Sequence, residues 1–178
     1  MASVFMSFVH EEASAATAVR TFLKEIFGGS IDTFQSSDQS AIYAGEDWMT
    51  RVFAELKDAK ILLSMLSPVS VARPWINFEA GAAWMSESKV IPICFGGLTL
   101  ADLPKPYSSL QGVEITTREG AHYLVSSIAH HLGLTIPRKP FFGPKAALAM
   151  ASPDPEEEKR LIGPYNRLLF DLDIKIPF

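Results

Sequence analysis

The sequence predicts an α/β fold, a doubly wound sheet of about five parallel strands with helices on both faces. Two patterns carry this prediction: the strands are short and apolar on both faces, and they alternate with amphipathic helices. Strands of that kind need cover on both sides, which helices in right-handed crossovers supply. The expected architecture is flavodoxin-like, with a core domain that ends near Leu134 and contains no internal repeats.

The predicted elements succeed one another through the first 134 residues. Strands are expected at residues 3–8, 31–34, 61–66, 90–95 and 113–115. Helical spacing of apolar residues predicts four helices, one ending before Gly28-Gly29, one beginning near Trp48, one beginning at Pro74 and one ending before Gly133. The polar segment 35–47, rich in Ser and Asp, is expected to be a loop.

Residues 135–178 differ from the core and are predicted to be a Pro-rich linker followed by a C-terminal extension. The acidic run at residues 156–158 suits the first turn of a helix. The extension ends in a period-two pattern, in which every second residue is apolar: Phe170, Leu172, Ile174, Ile176 and Phe178. Such a pattern is typical of an extended strand. We expect this strand to pack on its own domain rather than to extend a neighbour's sheet edge.

The composition bounds the class of protein. Hydrophobic residues make up 48% and charged residues 20% of the 178, as in ordinary globular proteins, and the net charge of −4 gives no reason to expect a nucleic-acid surface. Cys94 is the single cysteine and lies in an apolar run, which predicts a buried structural thiol. We expect no metal site, signal peptide or membrane span, and therefore a soluble, cytoplasmic protein.

The stretch between the third and fourth predicted strands carries the candidate chemistry. Pro74 suits the first position of a helix, where its missing N–H costs nothing. On that helix Glu79 follows Trp75 by one turn, and both are expected on one face with Phe78 and Ala82. The opposite side is expected to form the core stripe: Ile76, Ala80, Ala83 and Trp84.

Glu79 is thereby predicted to lie near the start of a helix, just past the carboxyl end of a strand. In open α/β sheets that edge is where ligands bind. A carboxylate beside aromatic surface is a candidate for polar chemistry in a partly dry site. The alternative interpretation is a solvated helix carboxylate, since most Glu side chains are exposed.

Four pieces of the sequence, in order on the predicted elements, resemble a bacterial Toll/interleukin-1 receptor (TIR) domain. They are residues 4–8, residues 34–38 with 44–48, residues 66–68 and the Trp75-x-x-x-Glu79 motif. The resemblance covers roughly the first 134 residues. The first strand ends in Ser7-Phe8, where the family often has Ser-Tyr, so a Tyr hydroxyl is lost there.

The resemblance implies the five-stranded TIR fold and, as in many bacterial and plant members, cleavage of NAD⁺ with Glu79 as the catalytic carboxylate. It also implies self-association through TIR–TIR contacts, with the loop 36–47 covering a neighbour's cleft. Some members make cyclic ADP-ribose isomers or ADP-ribose conjugates as immune signals. In Thoeris-type anti-phage defence a stand-alone TIR protein sends such a signal to a separate effector, an arrangement that this chain resembles.

Binding of NAD⁺ would need stacking surface and polar groups near Glu79. The candidates for stacking the nicotinamide or adenine are Trp75, Trp48 and Phe8, each of which also has a core interpretation. The candidates for the ribose and diphosphate are Ser7, Ser67, Ser37, Asp38 and Arg73. Neither G-x-G-x-x-G nor a P-loop is present, so NAD⁺ is expected as a substrate and not as a bound cofactor.

Two other functions remain open from the sequence. A TIR scaffold or adaptor would assemble without chemistry, and Glu79 would then be structural. A different enzyme on the same fold, such as a nucleoside deoxyribosyltransferase-like or nucleotide-hydrolysing protein, would be expected to carry a second well-placed carboxylate, for which the sequence shows no pattern.

Overall fold

A computed structural model describes residues 2–35 and 48–136, which form a parallel sheet with helices on both faces. The strands are β1 (Ala2–Ser7), β2 (Ile31–Gln35), β3 (Ile61–Leu66), β4 (Lys89–Cys94) and β5 (Val113–Glu114). The α-helices are α1 (Ala13–Phe27), α2 (Trp48–Asp58), α3 (Pro74–Met85) and α4 (Arg118–Leu132). The predicted strands and helices in these ranges are confirmed.

The sheet has the strand order β2-β1-β3-β4-β5, and every neighbouring pair is parallel. β1 and β3 are central, with Val4 opposite Ile61 and Ser7 opposite Ser64. Because all strands run in the same direction, the segments that follow β1 and β3 meet at one edge of the sheet. That carboxyl edge holds the candidate site.

Alternation along the central strands divides the core between two helical layers. Val4 and Met6 point to the layer formed with α1 and α4, whereas Phe5 packs on the other face with Val52 of α2 and Ala83 of α3. β1 and β3 therefore have both faces covered, which is why apolar residues occur on both faces of each strand. The predicted doubly wound architecture is confirmed.

The helix boundaries follow local chemistry. α3 begins at Pro74, which needs no hydrogen-bond acceptor for its nitrogen. α4 begins after Thr117, whose side chain accepts a hydrogen bond from the Gly120 N–H at 2.9 Å. It ends at Gly133, whose φ of +66° is readily adopted only by glycine.

The predicted division of α3 into faces is wrong at two positions. Trp84 is 50% exposed and does not belong to the core stripe. Glu79 takes that place, because the buried residues of α3 are Ile76, Glu79, Ala80 and Ala83. This stripe follows the i, i+3, i+4, i+7 spacing of one helical face, and Trp84 lies about 100° away from Ala83 around the helix.

Several predictions fall outside the described residues. They are the loop 36–47 with Ser37 and Asp38, the linker, and the helix and strand expected between residues 156 and 178. The division into a domain 1–134 and an extension 135–178 therefore stays a prediction. Within the described ranges no helix is both long and apolar enough to cross a membrane.

Candidate functional site

Glu79 and Ser7 form a buried pair at the carboxyl edge of the sheet. Glu79 lies in the second turn of α3 and Ser7 is the last residue of β1, and both are fully buried. The Ser7 hydroxyl donates a hydrogen bond to Oε2 of Glu79. A solvated helix carboxylate is therefore the wrong interpretation of Glu79, and its position beside the end of a strand is the arrangement that the sequence indicates.

Tyr107 lies beside the Ser7–Glu79 pair, between β3 and the start of α3. It lies in a short 3-10 turn (Tyr107–Ser109) after β4 and is 1% exposed. Its hydroxyl donates to the Ile76 carbonyl at 3.2 Å and lies 3.3 Å from Oγ of Ser64. Burial raises the pKa of Tyr107, the hydrogen bond with Ser64 opposes this, and the charge of Glu79 raises it further. The phenol thus stays a neutral donor that fixes the start of α3.

Glu12 is a second buried carboxyl group, at the end of the 3-10 turn His10–Glu12 that follows β1. The Ser67 hydroxyl donates to its Oε1, while Oε2 has no hydrogen-bond partner among the described residues. Burial raises the pKa of Glu12 to about 7, and hydrogen bonds from Ser67 and Ser70 reduce the effect. Near neutral pH the group is therefore present in both protonation states.

Ser67 forms hydrogen bonds within the loop between β3 and α3. Besides its bond to Glu12, its hydroxyl accepts from the Val69 N–H at 3.0 Å and from the Ser70 N–H at 3.3 Å. The Ser67 N–H in turn donates to Oγ of Ser70 at 2.8 Å. These bonds hold the loop against Glu12, so the hydroxyl predicted to bind a substrate is occupied by the protein itself.

Sequence reasoning missed Glu12. The available signal is the acidic pair Glu11-Glu12 directly after the first strand, because that position places at least one carboxylate at the ligand-binding edge. The two side chains have different surroundings. Glu12 is buried, whereas Oε1 of Glu11 accepts a hydrogen bond from Arg73 at 3.1 Å. The Arg73 and Glu11 side chains are both about one-third exposed, so the predicted phosphate partner forms an ion pair at the rim of the site.

The aromatic candidates lie in different surroundings. Trp75 is partly buried and stacks on Phe78 with ring centroids 5.3 Å apart, and Phe78 contacts Phe53 of α2 at 5.7 Å. Phe53 and Phe78 are 38% and 46% exposed, so these three rings form an aromatic patch beside Glu79. Phe8 is 4% exposed within the α1–α4 core, and its core interpretation is correct. Of Trp48 only the backbone is described, at the start of α2.

The site offers carboxyl and hydroxyl groups in a dry setting rather than a nucleophilic thiol. Cys94 is fully buried at the end of β4, and burial, with the charges of Glu114 and Asp102, raises its pKa to about 11. The predicted structural thiol is confirmed. Within residues 2–35 and 48–136 no group of three His, Cys, Asp or Glu side chains is arranged to hold a metal ion. Carboxylates in such surroundings suit sugar hydroxyls and developing positive charge.

A comparison with sequence profiles of protein families identifies the family to which the chain belongs. The sequence profile described as TIR domain matches residues 4–125, which is most of the chain, extends over part or all of every strand and includes the candidate site. The chain belongs to the TIR domain family. No curated protein sequence matches this TIR domain.

Solved structures to which this chain is similar include two TIR proteins. A metazoan TIR-STING receptor from C. gigas, solved in complex with 2',3'-cGAMP, aligns with a TM-score of 0.53 and 19% identity. That alignment covers 79% of this chain but only 40% of the receptor chain. The TIR domains of the activated Roq1 resistosome, which recognises the effector XopQ, align with a TM-score of 0.45 and 12% identity over 84% of this chain and 96% of that one.

Proposed function

We propose that this TIR domain cleaves the nicotinamide–ribose bond of NAD⁺, as an NAD⁺ glycohydrolase or ADP-ribosyl cyclase, with Glu79 as the catalytic carboxylate. The observation that carries the proposal is the burial of Glu79 at the carboxyl edge of the sheet, with its carboxyl group held by Ser7. A carboxyl group held by the fold in a dry site is what charge stabilisation in a transition state requires.

The reaction needs few catalytic groups from the protein. The bond between the ribose anomeric carbon and the nicotinamide nitrogen breaks, its electron pair leaves with the nitrogen, and nicotinamide departs neutral without a general acid. The ribose carbon passes through an oxocarbenium-like state. Ionised Glu79 stabilises that positive charge and accepts hydrogen bonds from ribose hydroxyls. Water or another nucleophile then adds to the carbon and loses a proton.

Glu79 has no exposed surface, so a substrate can reach it only if hydrogen bonds around it are exchanged for bonds to the substrate. A ribose hydroxyl takes over the bond that Oγ of Ser7 now makes to Oε2 of Glu79. Trp75, one turn earlier on α3 and partly buried, supplies a face for the pyridinium ring. Arg73 leaves its exposed pair with Glu11 to meet the diphosphate, an exchange favoured by the weakness of surface ion pairs.

The remaining parts of the proposal come from the sequence resemblance. Ser37, Asp38 and Trp48 complete the proposed substrate contacts, whereas the Ser67 hydroxyl is taken up by Glu12 and its own loop and Phe8 lies in the core. The site is completed across two copies, and the nucleotide product acts in the cytoplasm as an immune signal to a separate effector, as in Thoeris-type anti-phage defence. No nucleic-acid or membrane partner is proposed.

The test is incubation of concentrated protein with NAD⁺, with all products read by mass spectrometry. Wild type is compared with Glu79→Gln, which keeps the shape but removes the charge, and with Glu119→Gln, an exposed residue of α4. We expect nicotinamide release by wild type and Glu119→Gln and none by Glu79→Gln. The mass and retention of the second product distinguish hydrolysis from cyclisation or conjugation. Equal release by Glu79→Gln would refute the catalytic role.

A TIR scaffold or adaptor without chemistry is the second candidate. The observation that favours it is the same complete burial of Glu79, because a carboxyl group bonded to Ser7 and enclosed by core residues also joins β1 to α3. Under this function Glu79→Gln lowers stability, and wild type releases no nicotinamide even under crowding. Nicotinamide release by wild type at any concentration excludes it.

A further inference from the structure

Buried hydroxyl groups lie beneath α3, on the face of the sheet that carries Glu79. Ser7 of β1 and Ser64 of β3 are paired in register, and both are fully buried. Two residues earlier on the same strands, Phe5 and Leu62 share the core layer formed with α2 and α3. Because side chains alternate along a strand, the two serines point into that same layer.

The hydroxyl groups of the two serines are within reach of each other. Register partners on neighbouring strands lie about 4.8 Å apart, so a change of rotamer at Ser7 is enough to bring its hydroxyl to hydrogen-bond distance of Oγ of Ser64. In the structure Ser7 is turned to α3 instead, and its hydroxyl donates to Oε2 of Glu79. Ser7 therefore has two acceptors in its surroundings and uses one of them.

The direction of the hydrogen bond at Ser64 follows from Tyr107. The Tyr107 hydroxyl has one hydrogen, which it donates to the Ile76 carbonyl at 3.2 Å. In the 3.3 Å contact between Ser64 and Tyr107 the donor is therefore Ser64. A serine oxygen accepts as well as donates, so Oγ of Ser64 retains acceptor capacity for the hydroxyl of Ser7.

Substrate binding requires a second acceptor for Ser7. In the proposed reaction a ribose hydroxyl takes the place on Oε2 of Glu79 that Ser7 occupies in the structure. Because Ser7 is fully buried, its displaced hydrogen has no access to water. A buried donor without an acceptor bears the cost of desolvation, which is subtracted from the binding energy of the substrate.

We propose that Ser64 and Tyr107 are positioning residues for NAD⁺ cleavage, because they take up the Ser7 hydroxyl that the substrate displaces. In the substrate complex Ser7 donates to Ser64, and Ser64 donates to Tyr107. Tyr107 keeps its bond to the Ile76 carbonyl, so the row ends on α3, three residues before Glu79. Every hydroxyl in the row then has an acceptor. The inference rests on the proposed function, and neither positioning residue touches the reacting atoms.

Tyr107 remains a neutral donor at the end of the row. Burial raises the pKa of Tyr107, the hydrogen bond with Ser64 opposes this, and the charge of Glu79 raises it further. The phenol therefore keeps its hydrogen on the Ile76 carbonyl and presents its oxygen to Ser64. The effect of the Glu79 charge also places the row close to the catalytic carboxylate.

Steady-state kinetics of nicotinamide release test the role of Ser64. Ser64→Ala removes the acceptor that Ser7 needs only in the substrate complex. This cost falls equally on the bound substrate and the transition state, so we expect KM to rise about tenfold and kcat to change by less than about twofold. Ser88→Ala is the matched change, because Ser88 is a buried serine that donates to the Ala59 carbonyl at 2.8 Å before β4. It should keep the wild-type KM.

Ser7→Ala distinguishes positioning from a structural role. A chain without the Ser7 hydroxyl has no donor for the substrate to displace. Ser64→Ala and Tyr107→Phe should therefore each raise KM in wild type but leave it unchanged when combined with Ser7→Ala. A purely structural role would raise KM equally in both backgrounds. That result, or a wild-type KM in Ser64→Ala, would overturn the proposal.

Urea unfolding of the same full chain tests the exchange of acceptors without catalysis. Glu79→Leu removes the acceptor of Ser7 and places an apolar side chain in the buried stripe of α3. Ser64→Ala should then lower the folding equilibrium constant about tenfold more than it does in wild type, equivalent to ~1.4 kcal/mol. Additive losses would overturn the proposal. Coupled losses in a protein that releases no nicotinamide would refute NAD⁺ cleavage while confirming Ser64 as the second acceptor of Ser7.

Discussion

Two carboxyl groups lie beneath the carboxyl edge of the sheet, and each is held by a serine hydroxyl. Glu79 is bonded by Ser7 and Glu12 by Ser67, so β1 and the segment after β3 each supply one donor. A buried acid without its donor bears the full cost of desolvation, about 1–3 kcal/mol or more. Both serines therefore support the local fold, and Ser7 does so at the acid of the proposed chemistry.

Glu12 makes the stability of the domain depend on pH near neutrality. Its pKa is raised from 4.5 to about 7, so the folded state binds the proton more tightly than the unfolded state. The resulting stabilisation is complete below pH 4.5 and is lost as the pH rises to about 7. The shift corresponds to about 3 kcal/mol at 1.36 kcal/mol per pKa unit. Glu12→Gln, which mimics the protonated acid, is expected to remove this decline from urea unfolding curves recorded across that range.

Glu11→Gln is the control for the loss of negative charge. Glu11 is the exposed neighbour that pairs with Arg73, and both act on Glu12 from the rim, Glu11 raising and Arg73 lowering its pKa. The pH dependence should persist in Glu11→Gln, with a small shift of its midpoint. A Glu12→Gln protein that loses stability with rising pH as steeply as wild type would show that another group titrates.

Removal of the Ser7 hydroxyl tests the support of Glu79. Ser7→Ala removes one hydrogen-bond donor from a fully buried carboxyl group, and we expect it to lower the free energy of unfolding by about 1–3 kcal/mol. Ser64→Ala is the matched change in the opposite strand, where the serine makes a 3.3 Å contact with the Tyr107 hydroxyl. It should have the smaller effect, about 1 kcal/mol or less, because Tyr107 keeps its bond to Ile76. Equal losses in chemical denaturation would contradict the special role of Ser7.

At the scale of single residues the sequence predicted where Glu79 lies along the sheet but not what surrounds it. Pro74 and the preceding strand place Glu79 at the carboxyl edge, because local rules decide where α3 begins. The inward turn of Glu12 and the reach of Tyr107 from beyond β4 depend on long-range packing, which neither periodicity nor spacing records. Complete burial of Glu79 was missed for the same reason: its helical face is set by Ile76 and Ala83, not by its own polarity.

At the scale of elements the prediction was accurate because apolar residues dominate β1, β3 and β4 and the helices between the strands each carry an apolar face. The exception is the last turn of α3. Trp84 is apolar, which predicts a core position, yet its side chain is 50% exposed and lines a cavity with residues of β4 and α4. Hydropathy alone does not distinguish a buried apolar residue from an exposed one.

Two helical glycines should respond oppositely to alanine. A Cβ on Gly120 in the first turn of α4 would lie 1.9 Å from the Glu114 carbonyl oxygen of β5, so the helix must move away from the strand. We expect Gly120→Ala to lower the free energy of unfolding by about 2–3 kcal/mol. Gly81→Ala in α3 meets no atom within 4 Å and should raise it by about 0.5–1 kcal/mol. Urea unfolding measures both, and a neutral Gly120→Ala would show that α4 does not depend on this close approach.

At the scale of the whole molecule, the aromatic patch next to Glu79 connects the proposed chemistry with assembly. Phe53, Trp75 and Phe78 expose ring surface at the rim of the site, although the fold provides core positions for other aromatic residues. Exposed apolar patches of this kind mark interaction surfaces. A second copy that covers the patch would also exclude water from a substrate bound beside Glu79, so association and catalysis would rise together.

Specific activity is therefore expected to increase with protein concentration. Phe78→Ser removes apolar surface from the patch without opening the core, since Phe78 is 46% exposed, and should leave activity low at every concentration. Met85→Ser is the matched control, because Met85 is 86% exposed at the far end of the same helix and lies outside the patch. Nicotinamide release per molecule and mass by light scattering are measured over the same dilution series. If Phe78→Ser follows the wild-type curve in both measurements, copies of the domain associate through another surface. If Met85→Ser loses activity as Phe78→Ser does, the loss is not specific to the aromatic patch.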